Sequence, residues 1–361
     1  MNNLKNKSII ISCATLGSGG AERVISILST ELIQEYDTVE IILWKHHDIF
    51  YHIDKRIKII DIETEIYSSS TFKKMKWFRK YIKFRRPDII LSFLYPYSIR
   101  VLTSLLFNNQ KVIVAERRDP KKVQGGKLIE WGRNLLYLKA TAITVQTIQN
   151  KMCYPSFLKK NISVIYNPVS LPDDYIGSAN TTIKEKEIVT VGRLIPEKNH
   201  ELLIRSFAEF YNDHSCYKLT IWGEGPLRKK LQELIDSLNL HDCVFLKGNS
   251  NEVHKEIIKS EIFVLPSNTE GMPNALIEAM CLGLPCISTN VSGASDLIIP
   301  GDNGLLIDRG DQSALIACLK HLSENSEYRT ALGLKAVSIY KLVKKDHIIK
   351  QWKSLINTSL T

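Results

Sequence analysis

At 361 residues, with 44% hydrophobic and 24% charged side chains, the chain is long enough for two hydrophobic cores and too apolar to be disordered. Its seven cysteines (Cys13, Cys153, Cys216, Cys243, Cys281, Cys286, Cys318) are scattered, with no C-x-x-C pair and no histidine at zinc spacing, which argues against a disulfide frame or a zinc site. The net charge of +10 is uneven, with 27 Lys and Arg against 14 Asp and Glu in residues 1–170 and 21 against 24 in residues 171–361, so the first half is expected to face an anionic, extended partner.

The first apolar run in MNNLKNKSIIISCATLGSGG is too short for a signal-peptide core or a spanning helix, so a cytosolic protein is expected. Short β-branched runs, SIIIS, TVEIIL, DIILSFL, KVIVAE and AITVQ, alternate with stretches that suit helices, which predicts βα units around a parallel sheet. After the first run, Gly17, Ser18, Gly19 and Gly20 lead into a helix. Such a turn lets backbone N–H groups approach a phosphate, and it equally serves plain strand-to-helix packing. It lacks the spacing of a dinucleotide fingerprint and the lysine of a P-loop.

Residues 72–85, FKKMKWFRKYIKFR, are predicted to form a helix. At about 100° per residue, Lys73, Lys76, Arg79, Lys80 and Lys83 share one face, while Met75, Phe78 and Ile82 form a stripe suited to the core. Trp77, Tyr81 and Phe84 make a second apolar stripe beside the cations, the pattern of an interfacial helix on anionic lipid. The other reading is a basic surface helix with one wide core face. Further on, the loops SFLYPYS and AERRDPKK hold no histidine, and Arg117, Arg118 and Asp119 are their available polar groups.

Around residues 167–183, the stretch VIYNPVSLPDDYIGSANTT loses periodicity and is expected to link a first domain, 1–170, to a second, 171–361. The alternation then restarts with EIVTVG, KLTIWG, CVFLKG, IFVLPS and PCISTN, and HIIKQWKSLIN closes the chain as a short amphipathic helix free to pack on either domain. In an open parallel sheet, ligands bind beyond the carboxyl ends of the strands. There VTVGRLIPEKNH puts Arg193 and Lys198 above one strand end, a fork and a point charge that suit a diphosphate or, alternatively, a solvated surface pair. The Gly-Glu-Gly-Pro of TIWGEGP reads as turn chemistry.

EGMPNALIEA places Glu270 on a loop, Pro273 at the first helical position and Glu278 beyond the first turn, where the helix dipole explains little. The N–H groups of Asn274 and Ala275 offer a seat for phosphate, and Glu278 can accept hydrogen bonds from vicinal hydroxyls. Hydroxyls at both ends and phosphate between them describe a sugar nucleotide.

The set GSGGAERV, GRLIPEKNH, GEGP, VLPSNTEGMPNALIEAMCLGLPCISTNVSG and GDNGLLI, in this order and spacing, resembles the retaining glycosyltransferase family 4 of the GT-B fold over nearly the whole chain. The resemblance implies an α/β protein of two Rossmann-like, doubly wound domains facing across a cleft, the second holding the donor. It implies that Arg193 and Lys198 bind the donor diphosphate, Glu278 the ribose hydroxyls and Glu270 the transferred sugar. Backbone groups from Met272 to Ala275, including Asn274, with Gly19 and Gly20, would complete the phosphate site, and those around Leu246 and Lys247 would hold the base. It implies retaining, metal-independent transfer without a cofactor, in which the leaving phosphate takes the acceptor's proton. Relatives often carry a histidine near the transferred sugar, which the corresponding loops here lack.

ERRDP, with VQT and YNPV, is similar to the branch that extends polyprenyl-diphosphate-linked glycans of O-antigen, capsule or N-glycan assembly, often from an N-acetylhexosamine donor. A UDP-sugar, a lipid-linked saccharide and the anionic inner face of the cell membrane are the partners this implies. Three other readings stay open: a nucleic-acid binder, opposed by the lack of any recognisable module; a non-catalytic sugar-nucleotide-binding protein; and a nucleotide-sugar epimerase or soluble-acceptor enzyme on the same fold.

Overall fold

The computed structural model describes residues 6–17, 19–118, 120, 126–169, 171–250 and 252–361, so Ser18 and Asp119 of the loops singled out above lie outside the described residues. It divides into two compact units, Met1–Pro168 with Asp346–Thr361, and Val169–Lys345. The first contains β1 (Ser8–Cys13), β2 (Thr38–Leu43), β3 (Lys58–Asp61), β4 (Ile89–Phe93), β5 (Val112–Ala115), β6 (Ala142–Val145) and β7 (Ile162–Val164). All pair in parallel, in the order β3-β2-β1-β4-β5-β6-β7.

Covered on both faces, these strands are continuous apolar runs. Their period of two sends Ile9, Ile11, Ile41, Leu91 and Ile113 into one core and Ile10, Ile42, Ile90, Val112 and Val114 into the other. The closing helix Lys345–Leu360 belongs to the first of these cores. Its Trp352 stacks on Phe93 with ring centroids 5.8 Å apart, and Asn357 Oδ1 accepts a 2.9 Å bond from the Tyr36 hydroxyl.

The helix Thr71–Arg85 buries Phe78 and Ile82 in the second core. Two ion pairs fasten it: buried Lys74 to Glu63 at 2.5 Å and Arg85 to buried Glu40. Trp77 and Tyr81, expected to form a stripe free for lipid, are instead half-buried against this core, stacked on each other at 4.9 Å, and the Tyr81 hydroxyl donates to Glu40 at 2.7 Å. The core face is wider than a single stripe, so the aromatic residues beside it are drawn in. Phe84 remains 81% exposed. Lys73, Lys76, Arg79, Lys80 and Lys83 are all exposed, and none has an acidic partner among the described residues.

The second unit holds β8 (Glu185–Val191), β9 (Lys218–Trp222), β10 (Val244–Gly248), β11 (Ser260–Leu265), β12 (Cys286–Thr289) and β13 (Leu305–Ile307), in the parallel order β10-β9-β8-β11-β12-β13. The expected linker is folded onto this unit. It forms two short 3-10 turns, Asp173–Tyr175 and Ser178–Asn180, and Gly177 N–H donates to the Cys281 carbonyl at 2.9 Å. A segment without apolar periodicity is held here by backbone hydrogen bonds, which leave no mark in composition.

Candidate functional site

In the second sheet the chain runs one way from β8 to β9 and the other way from β11 to β12, so the switch point lies between β8 and β11. After β8, Gly192 and exposed Arg193 are followed by buried Leu194, a 3-10 turn Pro196–Lys198, Asn199 in the left-handed region (φ 48°) and the helix His200–Tyr211. The aliphatic stem of Lys198 lies over Gly192 and carries the ammonium to Glu270 Oε1 on the loop after β11, at 2.6 Å. Ser267 Oγ donates to the same oxygen at 2.7 Å, and Thr289 Oγ1 donates to the Ser267 carbonyl at 2.6 Å. Lys198 and Glu270, 72 residues apart, thus meet at the switch point with side chains 19% and 10% exposed. Arg193, one strand end away, makes no ion pair among the described residues.

Pro273 stands one residue outside the helix Asn274–Leu282, not at its first position. Its ψ of 98° is extended, while its carbonyl already accepts the Ile277 N–H at 3.1 Å. Met272 is buried, whereas Asn274 and Ala275 are half-buried on the first turn and Glu278 half-buried on the second. Burial, then the Glu278 carboxylate, pushes the Cys281 thiol up to about 12.

The loops after β8 and β9 are laced together. Leu194 N–H donates to the Glu224 carbonyl at 2.9 Å and Leu227 N–H to the Leu194 carbonyl at 3.0 Å, so the GEGP turn is a partner of the Arg193 loop. Beside them a cavity of about 170 Å³ is lined by Gly192, Arg193, Trp222, Gly223, Gly248 and Ser250. Trp222 and Ser250 were not singled out in the sequence, where a strand's last residue and a loop serine carry no signal. Leu246 does not present a free carbonyl to a ligand: Arg228 Nη2 donates to it at 2.9 Å, and Lys247 is exposed with its ammonium 5.3 Å from the Phe245 ring centre. Edge strand β10 leaves that carbonyl without a neighbouring strand, and Arg228 fills the gap.

His200 was also passed over. Buried on the first turn of its helix, it holds the Arg193 carbonyl with Nε2 at 3.2 Å, which assigns the proton to Nε2. Burial lowers its titration from 6.5 to about 4, against the pull of the Arg193 carbonyl and aided by the Lys198 charge. Between those pH values the unfolded chain binds a proton that the folded chain refuses, so stability rises with pH and is lost on acidification from about 6.5 towards 4. Denaturant titrations at pH 7, 5.5 and 4.5 should show a shallower acid loss for His200→Asn than for the wild type, by at most about 1.4 kcal/mol per pH unit.

In the first unit, Gly19 precedes the helix Gly20–Leu32, and the Glu22 carboxylate lies where a Cβ on Gly19 would sit. A carboxylate thus stands in the first turn beside Gly19, where it accepts from the Thr15 hydroxyl at 3.4 Å. Arg117 is not an available surface group. It is 6% exposed, donates to the Ile165 carbonyl at 3.1 Å and lies over the Phe93 and Trp352 rings at 5.7 and 5.1 Å, and burial lowers its titration to about 9. Aromatic faces and a strand-end carbonyl have drawn the guanidinium inward. Arg118 is exposed.

Among the described residues no cluster of three His, Cys, Asp or Glu is placed to hold a metal ion, and no helix is long and apolar enough to cross a membrane. The family model for glycosyl transferases group 1 matches residues 175–337. The N-acetylgalactosamine-N,N'-diacetylbacillosaminyl-diphospho-undecaprenol 4-alpha-N-acetylgalactosaminyltransferase of Campylobacter jejuni is 31% identical over 356 residues, covering 93% of this chain and 95% of the relative. A second Campylobacter jejuni protein, GalNAc-alpha-(1->4)-GalNAc-alpha-(1->3)-diNAcBac-PP-undecaprenol alpha-1,4-N-acetyl-D-galactosaminyltransferase, is 28% identical over 95% of this chain and 96% of its own. Anabaena HepE, solved with UDP and glucose, shares the fold with a TM-score of 0.79 at 14% identity, covering 97% of this chain and 99% of HepE.

Proposed function

The chain belongs to the group 1 glycosyl transferases, and from that premise we propose that it moves an N-acetylhexosamine or hexose from a UDP-sugar, with retention, to a polyprenyl-diphosphate-linked saccharide. The observation that carries this reading is the meeting of Lys198 and Glu270 at 2.6 Å at the switch point, with exposed Arg193 beside them. Cations and an acid in that order fit a diphosphate followed by a sugar hydroxyl.

The chemistry follows from charge. As the bond from the anomeric carbon to the β-phosphate oxygen breaks, its electron pair stays on the phosphate, and Arg193 and Lys198 stabilise the charge that develops there. Glu270 orients the sugar and favours the positive charge on the anomeric carbon, while Glu278 accepts hydrogen bonds from the ribose hydroxyls. The acceptor hydroxyl oxygen then bonds the anomeric carbon from the same side, and its proton passes to the departing phosphate, which makes a separate base unnecessary, while Arg193 and Lys198 supply the positive charge that a metal ion would otherwise bring. The helix N-terminus at Asn274 and Ala275 adds to the phosphate seat.

The acceptor's diphosphate and the anionic inner face of the cell membrane fit the cations at Lys73, Lys76, Arg79, Lys80 and Lys83, which no acid of the described chain neutralises. With Trp77 and Tyr81 turned to the core, this contact is electrostatic, with Phe72 and Phe84 as exposed aromatic groups of the same helix.

UDP release from a panel of UDP-sugars, with and without an undecaprenyl-diphosphate-linked saccharide, tests the proposal. The expected result is acceptor-dependent release with an α-linked product, and a rise of about tenfold or more in acceptor KM for Lys76→Glu/Lys80→Glu/Lys83→Glu at low salt, with donor KM unchanged. Binding of UDP-sugar without acceptor-dependent release, or sugar epimerisation without acceptor, overturns it.

A further inference from the structure

Strands β8 and β11 are neighbours, but apart from the Lys198–Glu270 ion pair, whose two members are the proposed ligand groups, the course of the chain gives the loops that leave them no reason to stay together. The chain returns through the helix His200–Tyr211 to β9 on one side and through the helix Asn274–Leu282 to β12 on the other. Right-handed crossovers in opposite directions put those helices on opposite faces of a parallel sheet. The last paired residues of the two strands are Val189 and Phe263, and beyond them the sheet supplies no bond between the loops.

Asn268 supplies three. Its N–H donates to the Glu197 carbonyl at 2.8 Å, its Nδ2 donates to the Pro196 carbonyl at 3.3 Å, and its Oδ1 accepts from Asn199 Nδ2 at 3.2 Å. Asn199 reaches it from a left-handed backbone position, φ 48°, which asparagine tolerates better than most side chains. On either side of this link stand Lys198 and Glu270. An exposed loop-tip asparagine meets its hydrogen-bonding needs in water, so three bonds across to one neighbouring loop serve geometry more than burial.

We propose that Asn268 is a positioning residue: it clips the loop that carries Arg193 and Lys198 to the loop that carries Glu270, and so sets the span from the donor's diphosphate to its sugar. This rests on the donor site proposed above. With the clip in place the cations and the acid meet the donor as one preorganised group. Without its side-chain bonds the loops keep only the backbone bond to the Glu197 carbonyl and the Lys198–Glu270 pair, and each donor molecule has to order them.

The test is steady-state kinetics and UDP binding on the full chain. Asn268→Ala is expected to raise the KM for the UDP-sugar and the Kd for UDP about tenfold, with acceptor KM unchanged and Tm within ~3 °C of the wild type. Asn199→Gly removes one bond from a position that glycine occupies easily, and is expected to raise both constants about threefold. The double variant should match Asn268→Ala alone, because the bond that Asn199 makes is already gone. Donor constants unchanged in Asn268→Ala, or effects that multiply in the double variant, overturn the clip alone. A wild-type protein that neither binds UDP nor releases it overturns the donor site, and the clip with it.

Discussion

Arg193→Ala is expected to lower kcat/KM for the UDP-sugar about 100-fold to 1,000-fold while leaving stability within ~0.5 kcal/mol of the wild type. The side chain is exposed and makes no ion pair among the described residues, so nothing in the folded protein depends on it. On the proposed donor site the diphosphate is charged before the bond breaks and gains a further charge as it leaves, so the loss is shared between donor binding and the transition state and is larger in the latter. Lys198→Ala should cost as much in rate but also in stability. Glu270 sits 10% exposed between the Lys198 ammonium and the Ser267 hydroxyl, and removing the ammonium leaves the carboxylate with the hydroxyl alone. A cost of about 1–3 kcal/mol follows. Lys198→Arg is a poor rescue, because a planar fork cannot follow the lysine stem over Gly192 to a single carboxylate oxygen. Initial rates with saturating acceptor, paired with thermal melts, separate the two variants. Rates within threefold of the wild type for both would remove the diphosphate from this loop.

The strand ends and their loops were legible because glycine and proline punctuate them and β-branched runs precede them. Strands β3, β7 and β13 were not: each is an edge strand of three or four residues, and unlike the equally short central strands β5, β6 and β12 each includes residues that are not buried. Lys198 and Glu270 could be placed near one another because each follows closely on a strand end, and they do meet. Asn268, His200 and Trp222 escaped because their roles depend on what the other loops bring to them, and one sequence does not record distances between loops. The same limit misled the reading of Arg117 and of the Trp77–Tyr81 stripe. A helical wheel orders side chains by angle but says nothing of how much of the wheel the core covers, and here Glu40 and the second core claim two of the three aromatics. Backbone hydrogen bonds hide in the same way: the chain does leave the first unit at Pro168, inside the stretch expected to link the two, yet the residues that follow are bonded to the second unit.

Gly223→Ala should come close to abolishing donor binding although the glycine touches no proposed ligand group. Gly223 follows β9 with φ at 140°, and a Cβ there would lie 2.0 Å from the Gly192 carbonyl oxygen. Both loops are backbone at this point and neither can turn aside: Gly192 N–H is bonded to the Trp222 carbonyl at 2.9 Å, and Gly223 N–H to the Gly248 carbonyl at 2.8 Å. The methyl group must therefore push Gly192 outward, and with it Arg193, the next residue. Dihedral strain and the clash together are expected to cost about 3 kcal/mol or more, a fall of roughly 6–12 °C in Tm for a unit of this size. Gly310→Ala separates the two causes. Gly310 also has a positive φ, 78°, but nothing lies within 4 Å of its Cβ position, so only the dihedral cost remains, about 1 kcal/mol, with transfer intact. Melts with and without UDP read the difference. Gly310→Ala should keep the full stabilisation by UDP, and Gly223→Ala should lose it. Equal stabilisation in both would mean that the approach of Gly223 to Gly192 does not hold Arg193 in place, and that the guanidinium finds the diphosphate by its own flexibility.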